Sequence, residues 1–120
     1  MSLHVNCFLD EPAKAIIDRG EIVLRGWISA RAGGLEKIAL RSIKAPLRIA
    51  THGRPDVSSS YPDRDVVGFS ATLCMADHLT AISDNELILY VMCEARVVGG
   101  FRFKVEKRAL NLAAQMASSD

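Results

Sequence analysis

Two stretches of the chain alternate between apolar and polar residues, which is the pattern of a β-strand with one buried face. In "VVGFSATLCM" (residues 66–75) every odd position is apolar. In "FRFKVEK", Phe101, Phe103 and Val105 alternate with charged residues. Successive side chains of a strand point to opposite faces of its sheet. Each stretch is therefore predicted to be a strand with its apolar side on a core.

Five further stretches are rich in strand-forming residues. They are "LHVNCFLD" (3–10), "EIVLRGWIS" (21–29), "LEKIALRSI" (35–43), "PLRIATH" (46–52) and "LILYVMCEA" (87–95). The third also has the spacing of a short helix, but a hairpin with the fourth is the preferred interpretation. In the second, apolar residues occur at both parities, and Gly26 beside Trp27 indicates a bulge or a close approach of two backbones.

The segments between these strands are typical of turns and loops. "RAGG" (31–34) and "VVGG" (97–100) predict turns, and "ADHLTAISDNE" (76–86) predicts a connection that can contain a helical turn. "RALNLAAQMASS" (108–119) consists largely of strong helix formers and predicts a C-terminal helix. There is no alternation of strands and helices of the kind that builds a parallel sheet.

About seven short strands followed by one helix predict an all-β fold. We expect an antiparallel β-sandwich of two sheets over residues 1–108 and a C-terminal helix over residues 109–120, which could link to a further domain. A chain of 120 residues forms one hydrophobic core, so we interpret it as a single domain, either complete or excised from a longer protein.

Composition narrows the choice of partners. The net charge is +1 and the basic residues are scattered, so neither nucleic acid nor an anionic membrane surface is expected as a partner. The three cysteines, Cys7, Cys74 and Cys93, show no CxxC spacing and are interpreted as buried thiols of a reducing compartment. The start of the chain carries no signal-peptide pattern, which favours a cytoplasmic location.

No recognisable set of catalytic or cofactor-binding residues is found. His4, His52 and His78 lie far apart and have no neighbours at metal-ligand spacing, so they are interpreted as surface or rim residues. Ser70 lacks the GxSxG context of a nucleophile, and the glycine pairs lack the spacing of a phosphate-binding loop. We therefore predict no catalytic residue, no metal and no cofactor.

Four short motifs occur in a fixed order along the chain. They are "GWIS" (26–29), "GRPDV" (53–57), "YP" (61–62) and "VGFSATL" (67–73). Together they resemble the immunoglobulin-like β-sandwich accessory domain that stands beside catalytic domains in bacterial glycosyltransferases and related methyltransferases. The resemblance extends over residues 9–105. It departs from the family pattern in "AISDNELILY", where the turn expected before the penultimate strand is missing.

The resemblance implies a non-catalytic module whose partner is a transferase catalytic domain in the same or a neighbouring polypeptide. No catalytic residue carries over. The implied structural roles are a core position for Trp27, a crossover formed by Arg54, Pro55 and Asp56, and a core strand that opens with Phe69.

The residue types of the crossover segment can also be explained without the resemblance, from the chemistry of a helix start. Pro55 suits the first turn of a helix because it lacks an N–H that this turn would leave unpaired. Asp56 and the serines that follow can accept hydrogen bonds from free backbone N–H groups. Arg54 could pair with Asp56 or reach a carbonyl on the adjoining sheet. A rigid connection between two sheets is preferred to a ligand-binding loop.

Three functions remain open at this point. The first is an accessory or interaction module that packs on or positions a transferase domain, with a homodimer as a further option. The second is a carbohydrate-binding module, for which only Phe8, Tyr61 and Tyr90 would be available as exposed rings. The third is a small enzyme with an unrecognised site.

A core and a surface can be predicted together. Nine residues are expected to be buried between the sheets: Trp27, Ile38, Leu40, Phe69, Leu73, Leu89, Val91, Phe101 and Phe103. In "LILYVMC", Leu87, Leu89, Val91 and Cys93 should face this core. Ile88, Tyr90 and Met92 then face outward. Either the C-terminal helix covers them, or it projects away from the domain and they form an interface with a partner, which is the preferred interpretation.

Overall fold

The structure, a computed structural model, describes residues 5–31 and 37–118. The first two residues of the first predicted strand, of which His4 is one, therefore lie outside the described residues. So does most of the predicted "RAGG" turn.

Nine strands and three helical segments make up the described part of the chain. The strands are β1 (Asn6–Glu11), β2 (Ile16–Ile17), β3 (Glu21–Arg31), β4 (Ile38–Arg41), β5 (Pro46–Leu47), β6 (Ile49–His52), β7 (Arg64–Cys74), β8 (Glu86–Cys93) and β9 (Arg96–Val105). The helical segments are α1 (Pro55–Ser58), the 3₁₀ helix η1 (Met75–Ala81) and α2 (Lys107–Ser118).

The strands form two sheets that enclose one core. The four-stranded sheet has the order β1-β3-β7-β6, and the five-stranded sheet has the order β2-β9-β8-β4-β5. Every pairing is antiparallel except that of β2 with β9, which is parallel. The predicted all-β, two-sheet architecture is therefore confirmed at this level.

The strand count differs from the prediction for two local reasons. The predicted strand "PLRIATH" divides at Arg48: β5 pairs with β4 in the five-stranded sheet, whereas β6 pairs with β7 in the four-stranded sheet. Ile16 and Ile17 form the two-residue strand β2, which has too few residues to show any periodicity. The predicted hairpin between residues 38–41 and 46–47 is present, with Leu40 opposite Leu47.

The core consists of apolar side chains from both sheets. Seven of the nine predicted core residues are buried: Leu40, Phe69, Leu73, Leu89, Val91, Phe101 and Phe103. The rings of Phe69 and Phe101 have their centroids 5.7 Å apart, which joins the two sheets. Ile38 is half-buried and packs against the rim of the core.

The predicted core position of Trp27 is wrong. Along β3, Leu24 and Ile28 point inward and are fully buried, while Val23 is 47% exposed and Trp27, of the same parity, is half-buried on the outer face. The inward position beside Trp27 is Gly26, which pairs with Phe69. A Cβ atom on Gly26 would clash with the backbone oxygen of Phe8 and lie 3.0 Å from the Phe69 ring, so the close approach of two backbones expected at Gly26 is present, and Phe69 fills the space on its inner side.

The C-terminal helix takes neither of the two positions expected for it. α2 packs against η1, and Ala109 and Ala113 are fully buried in that contact. On the same side, Leu112 and Met116 lie next to Gly20. The helix therefore closes one end of the sandwich. It does not project away from the domain.

The hairpin between β8 and β9 turns earlier than the glycines predict. Glu94 and Ala95 both have positive φ, 51° and 67°, and Cys93 pairs with Arg96. Two successive positive φ angles are typical of the tight turn that suits the twist of a hairpin. Gly99 and Gly100, predicted to lie in a turn, are instead part of β9.

Candidate functional site

An apolar face lies on the outside of the five-stranded sheet. We use "apolar face" for Ile43, Ile88, Tyr90, Met92 and Val97 together. Along β8 the burial alternates as predicted: four residues face the core, and Ile88, Tyr90 and Met92 are half-buried on the other side. Ile43 and Val97 are the most exposed members, at 66% and 61%.

The apolar face is shallow and has a polar border. A depression of about 360 Å³ is lined by Arg41, Ser42, Ile43, Tyr90, Met92 and Val97. Tyr90 pairs with Gly100 on one neighbouring strand and with Arg41 on the other. Gly100 contributes no side chain beside Tyr90, so the Tyr90 ring is part of the lining of this shallow depression.

The second predicted site, the crossover segment, forms a one-turn helix. α1 begins at Pro55, in the first turn as expected, and Arg54 precedes it as the capping residue. The capping residue itself makes no side-chain cap. The Asp56 carboxylate interacts with the backbone N–H groups of Asp56 and Val57, as the sequence suggested, but its main partner is Arg54.

Arg54 connects two distant parts of the chain. Its Nε atom lies 3.0 Å from Oδ1 of Asp56 and its Nη2 atom 2.9 Å from Oδ2, which is a two-pronged pair. Its Nη1 atom also donates to Oδ2 of Asp10, in β1, at 2.9 Å. The hydrogen bonds from Arg54 lower the pKa of Asp56, and the two carboxylates raise the pKa of Arg54. We call Asp10, Arg54 and Asp56 the ion cluster.

The expectation that this segment crosses between the two sheets is corrected. It joins β6 to β7, which are neighbours in the four-stranded sheet. The chain changes sheets earlier, at Arg48, between β5 and β6. The segment instead lies beside the outer face of the four-stranded sheet, where Arg54 can reach across to β1.

Three aromatic rings gather on that outer face, and the sequence did not indicate their association. The rings of Phe8 and Trp27 are stacked, with centroids 3.9 Å apart and planes at 18°. The ring of Tyr61, which follows α1, lies 6.0 Å from that of Trp27. Phe8 and Tyr61 are 41% and 43% exposed. We call these three residues the aromatic cluster.

Gly68 brings the aromatic and ion clusters together. It pairs with Trp27 on one side and with His52 on the other, in a row that Phe8 extends to the sheet edge. A Cβ atom on Gly68 would clash with the imidazole ring of His52 and lie 2.7 Å from Cγ of Arg54. The His52 ring and the aliphatic part of Arg54 thus both lie over Gly68, and the Arg54 guanidinium binds Asp10 in β1.

One buried polar pair lies inside the fold. His78, interpreted from the sequence as a surface residue, is only 2% exposed, and its Nδ1 atom lies 2.7 Å from Oγ of Ser42, which is fully buried. Burial lowers the pKa of His78. A serine–histidine pair can form a nucleophile, but a substrate must reach its oxygen. Burial of both groups makes this pair structural.

Within residues 5–31 and 37–118, no group of three or more His, Cys, Asp or Glu side chains is arranged to hold a metal ion. The longest helix in this part of the chain is α2, and no helix found there is long and apolar enough to cross a membrane.

Comparison of the chain with protein-family models, with curated proteins and with solved structures finds no match.

Proposed function

We propose that this domain is a non-catalytic accessory module that packs on, or positions, a transferase catalytic domain of the glycosyltransferase or methyltransferase type. The observation that carries the proposal is the apolar face. In a two-layer sandwich each strand needs only one buried side. Here β8 is apolar on both sides, and the helix that could have covered its outer side packs at the end of the sandwich.

An immunoglobulin-like topology is part of the same proposal. The order β1-β3-β7-β6 matches the A-B-E-D sheet of immunoglobulin domains, and β9-β8-β4 matches their G-F-C strands. The strand order supports the resemblance independently of the sequence motifs, because it depends on which strands pair and not on the residues of those motifs. The two added strands, β2 and β5, extend the second sheet at its edges.

The energetic argument for a partner comes from exposed aliphatic side chains. Ile43 and Val97 leave most of their surface in water. Full burial of one such side chain is favourable by roughly 1.5–3 kcal/mol. A protein surface that covered the apolar face, with Tyr90 near its centre, would gain from several of these residues at once. Aromatic residues at the centre of a contact commonly dominate its affinity.

The test uses the double variant Tyr90→Glu, Met92→Lys. Binding of the isolated domain to the transferase domain encoded in the same or an adjacent reading frame is measured by biolayer interferometry, and self-association by sedimentation velocity. We expect the double variant to keep its melting transition and to lose at least about tenfold in affinity. If binding is to a second copy, the same variant makes a dimer monomeric, and the interaction surface is then a homodimer interface.

A matched control is available on the other sheet. Val23 and Thr72 are both exposed and form a cross-strand pair on the outer face of the four-stranded sheet. The variant Val23→Glu, Thr72→Lys introduces the same two charges and should leave binding unchanged. Equal loss of binding in both variants, or the absence of any transferase domain in the reading frame and its neighbours, would contradict the proposed function.

A further inference from the structure

The outer face of the four-stranded sheet combines exposed rings with charged groups that are paired with one another. The aromatic cluster and the ion cluster meet over Gly68 and Trp27, as described above. Neither cluster is needed to close the core, because the core lies on the other side of this sheet. A ligand that binds this face would have to pack on the aromatic rings and form hydrogen bonds with the ordered polar side chains.

We propose that this face binds a neutral oligosaccharide. A sugar ring has a flat C–H side that packs on an aromatic ring and a rim of hydroxyl groups that hydrogen-bond to carboxylates and guanidinium groups. Phe8 and Tyr61 supply the rings, and Asp10 and Asp56 supply the acceptors. This site is independent of the apolar face, which lies on the opposite sheet.

The free acceptor capacity of the ion cluster supports a hydroxyl-rich ligand. An ionised carboxylate can accept about four hydrogen bonds. Arg54 uses one acceptor position on Asp10 and two on Asp56, and the backbone N–H groups of Asp56 and Val57 also act on the Asp56 carboxylate, so the spare positions lie mainly on Asp10. Both carboxylate side chains are accessible, at 46% and 64% exposure. Arg54 holds both of them in place, so little side-chain freedom is lost when a ligand binds.

The charge of the site selects against ionic ligands. Two carboxylates and one guanidinium leave a net negative charge, which repels phosphates, sulfates and acidic sugars. A cationic ligand would compete with Arg54 for the same carboxylates. A neutral ligand has neither disadvantage.

The size of the site favours a short oligosaccharide. The two centroid distances of the aromatic cluster, 3.9 Å and 6.0 Å, limit the separation of the Phe8 and Tyr61 rings to about 10 Å. Trp27 lies between them and is half-buried, so it is in a position to sense a ligand on either side. β1 is an edge strand, and Phe8 therefore has one side open to solvent.

Trp27 is the only tryptophan in the chain, so its fluorescence reports on this site alone. The domain is titrated with neutral hexasaccharides of glucose (β-1,4 and α-1,4), xylose, mannose and N-acetylglucosamine, and with hexagalacturonate and hexaglucosamine as charged counterparts. We expect a saturable change in emission with at least one neutral sugar, at concentrations of roughly 1 mM or below, and none with the charged ones.

The two tyrosines of the chain provide a matched pair of variants, one on each face. Tyr61→Ala should weaken binding, measured by calorimetry, at least about tenfold, while Tyr90→Ala should leave it unchanged. Phe8→Ala should act like Tyr61→Ala, and a melting curve shows whether each variant is folded. Because Tyr61 is exposed and lies outside the strands, its variant tests the site even if Phe8→Ala fails to fold.

Four results would overturn the proposal. One is the absence of any saturable response to all the neutral sugars. Another is a response only to charged sugars, and a third is binding that Tyr61→Ala leaves intact. The fourth is a dimer of the domain that Tyr61→Ala makes monomeric, because the aromatic cluster would then be an interface between copies. None of these results bears on the test of the apolar face, which uses different residues and a different partner.

Discussion

The Nδ1 atom of His78 lies 2.7 Å from the Oγ atom of Ser42, and neither side chain is accessible to water. The same Oγ atom also accepts from the backbone N–H groups of Lys44 and Ala45, at 3.2 Å and 3.1 Å. The hydroxyl hydrogen has two acceptors within reach, Nδ1 of His78 at 2.7 Å and the backbone O atom of Ala45 at 3.3 Å. Because both lone pairs of Oγ already accept hydrogen bonds, the short contact suits a neutral His78 whose Nδ1 accepts from the hydroxyl. The pair thus joins η1 to the turn between β4 and β5.

This relationship predicts that the domain loses stability in mild acid. The pKa of folded His78 lies below its ordinary value of 6.5 because burial disfavours the charged form. The unfolded chain therefore binds a proton at a higher pH than the folded chain. This contribution to stability is complete above pH 6.5 and is lost as the pH falls from 6.5 through the folded pKa.

The measurement is the free energy of unfolding in urea across this pH range. His78→Gln removes the titrating group and should flatten the pH dependence below 6.5. His52→Gln, which replaces an exposed histidine, should leave the slope as it is in the unaltered domain. An unchanged slope in His78→Gln would mean that another group causes it.

A second prediction compares two aromatic residues on the two sides of one sheet. Phe69 is fully buried, so Phe69→Ala should lower the free energy of unfolding by about 3–5 kcal/mol. Trp27 keeps part of its surface in water and packs mainly on Phe8, so Trp27→Ala should lower it by half as much or less. Equal losses measured by denaturant unfolding would place both rings in the core.

The third prediction concerns the ion cluster. Arg54→Ala should lower the melting temperature by a few degrees, because Arg54 is only 22% exposed and joins α1 to β1. Arg54→Lys should recover only part of the loss, since an ammonium group cannot make the two-pronged pair. Arg19→Ala is the control, because the pair of Arg19 with Asp18 joins sequence neighbours and Arg19 is 69% exposed.

The effect of Arg54→Ala should also depend on pH. The pKa of Asp56 is lowered below its ordinary value of 3.8, mainly by its hydrogen bonds from Arg54. The stabilisation is therefore complete above pH 3.8 and is lost as the pH falls through the lowered pKa. Melting curves of the two proteins should converge in strong acid. A constant difference at all pH values would mean that packing, and not charge, explains the loss.

A fourth prediction concerns the thiols. Cys93 is 4% exposed, and burial raises the pKa of Cys7, which keeps it in the less reactive protonated form. Alkylation of the native domain, resolved by mass spectrometry of its peptides, should label both at least roughly tenfold more slowly than in the unfolded chain. Rapid labelling of Cys93 would show that the inward side of β8 is accessible.

The sequence could predict the strands whose two sides differ clearly. Between Val67 and Leu73 in β7, and between Phe101 and Val105 in β9, the apolar residues all have one parity, so the pattern predicts the inward side correctly and the burial of Phe69 and Phe103 follows from it. β3 carries apolar residues of both parities, and local patterns do not say which side meets the other sheet. The choice of Trp27 for the core failed for that reason.

Two kinds of feature could not be predicted: a turn that lacks the usual turn residues, and contacts between residues that are distant in the sequence. The turn at Glu94 and Ala95 has no glycine or asparagine, although both residues adopt positive φ, so the nearby glycine pair gave the stronger signal. The aromatic cluster joins residues 8, 27 and 61, which only strand pairing brings together. Its one available sign was that Trp27 shares its parity with Arg25, an exposed charged residue.

The parallel pairing of β2 with β9 has a consequence for how the domain carries mechanical load. β2 lies near the start of the chain and β9 near its end, and they run in the same direction. A pull that separates the two ends draws these strands past each other in shear. The bonds from Lys104 N to Ala15 O and from Glu106 N to Ile17 O, at 3.0 Å and 2.9 Å, then carry the force together and do not open one after another. We therefore expect this short pairing to be the part of the fold that opposes tension applied along the chain.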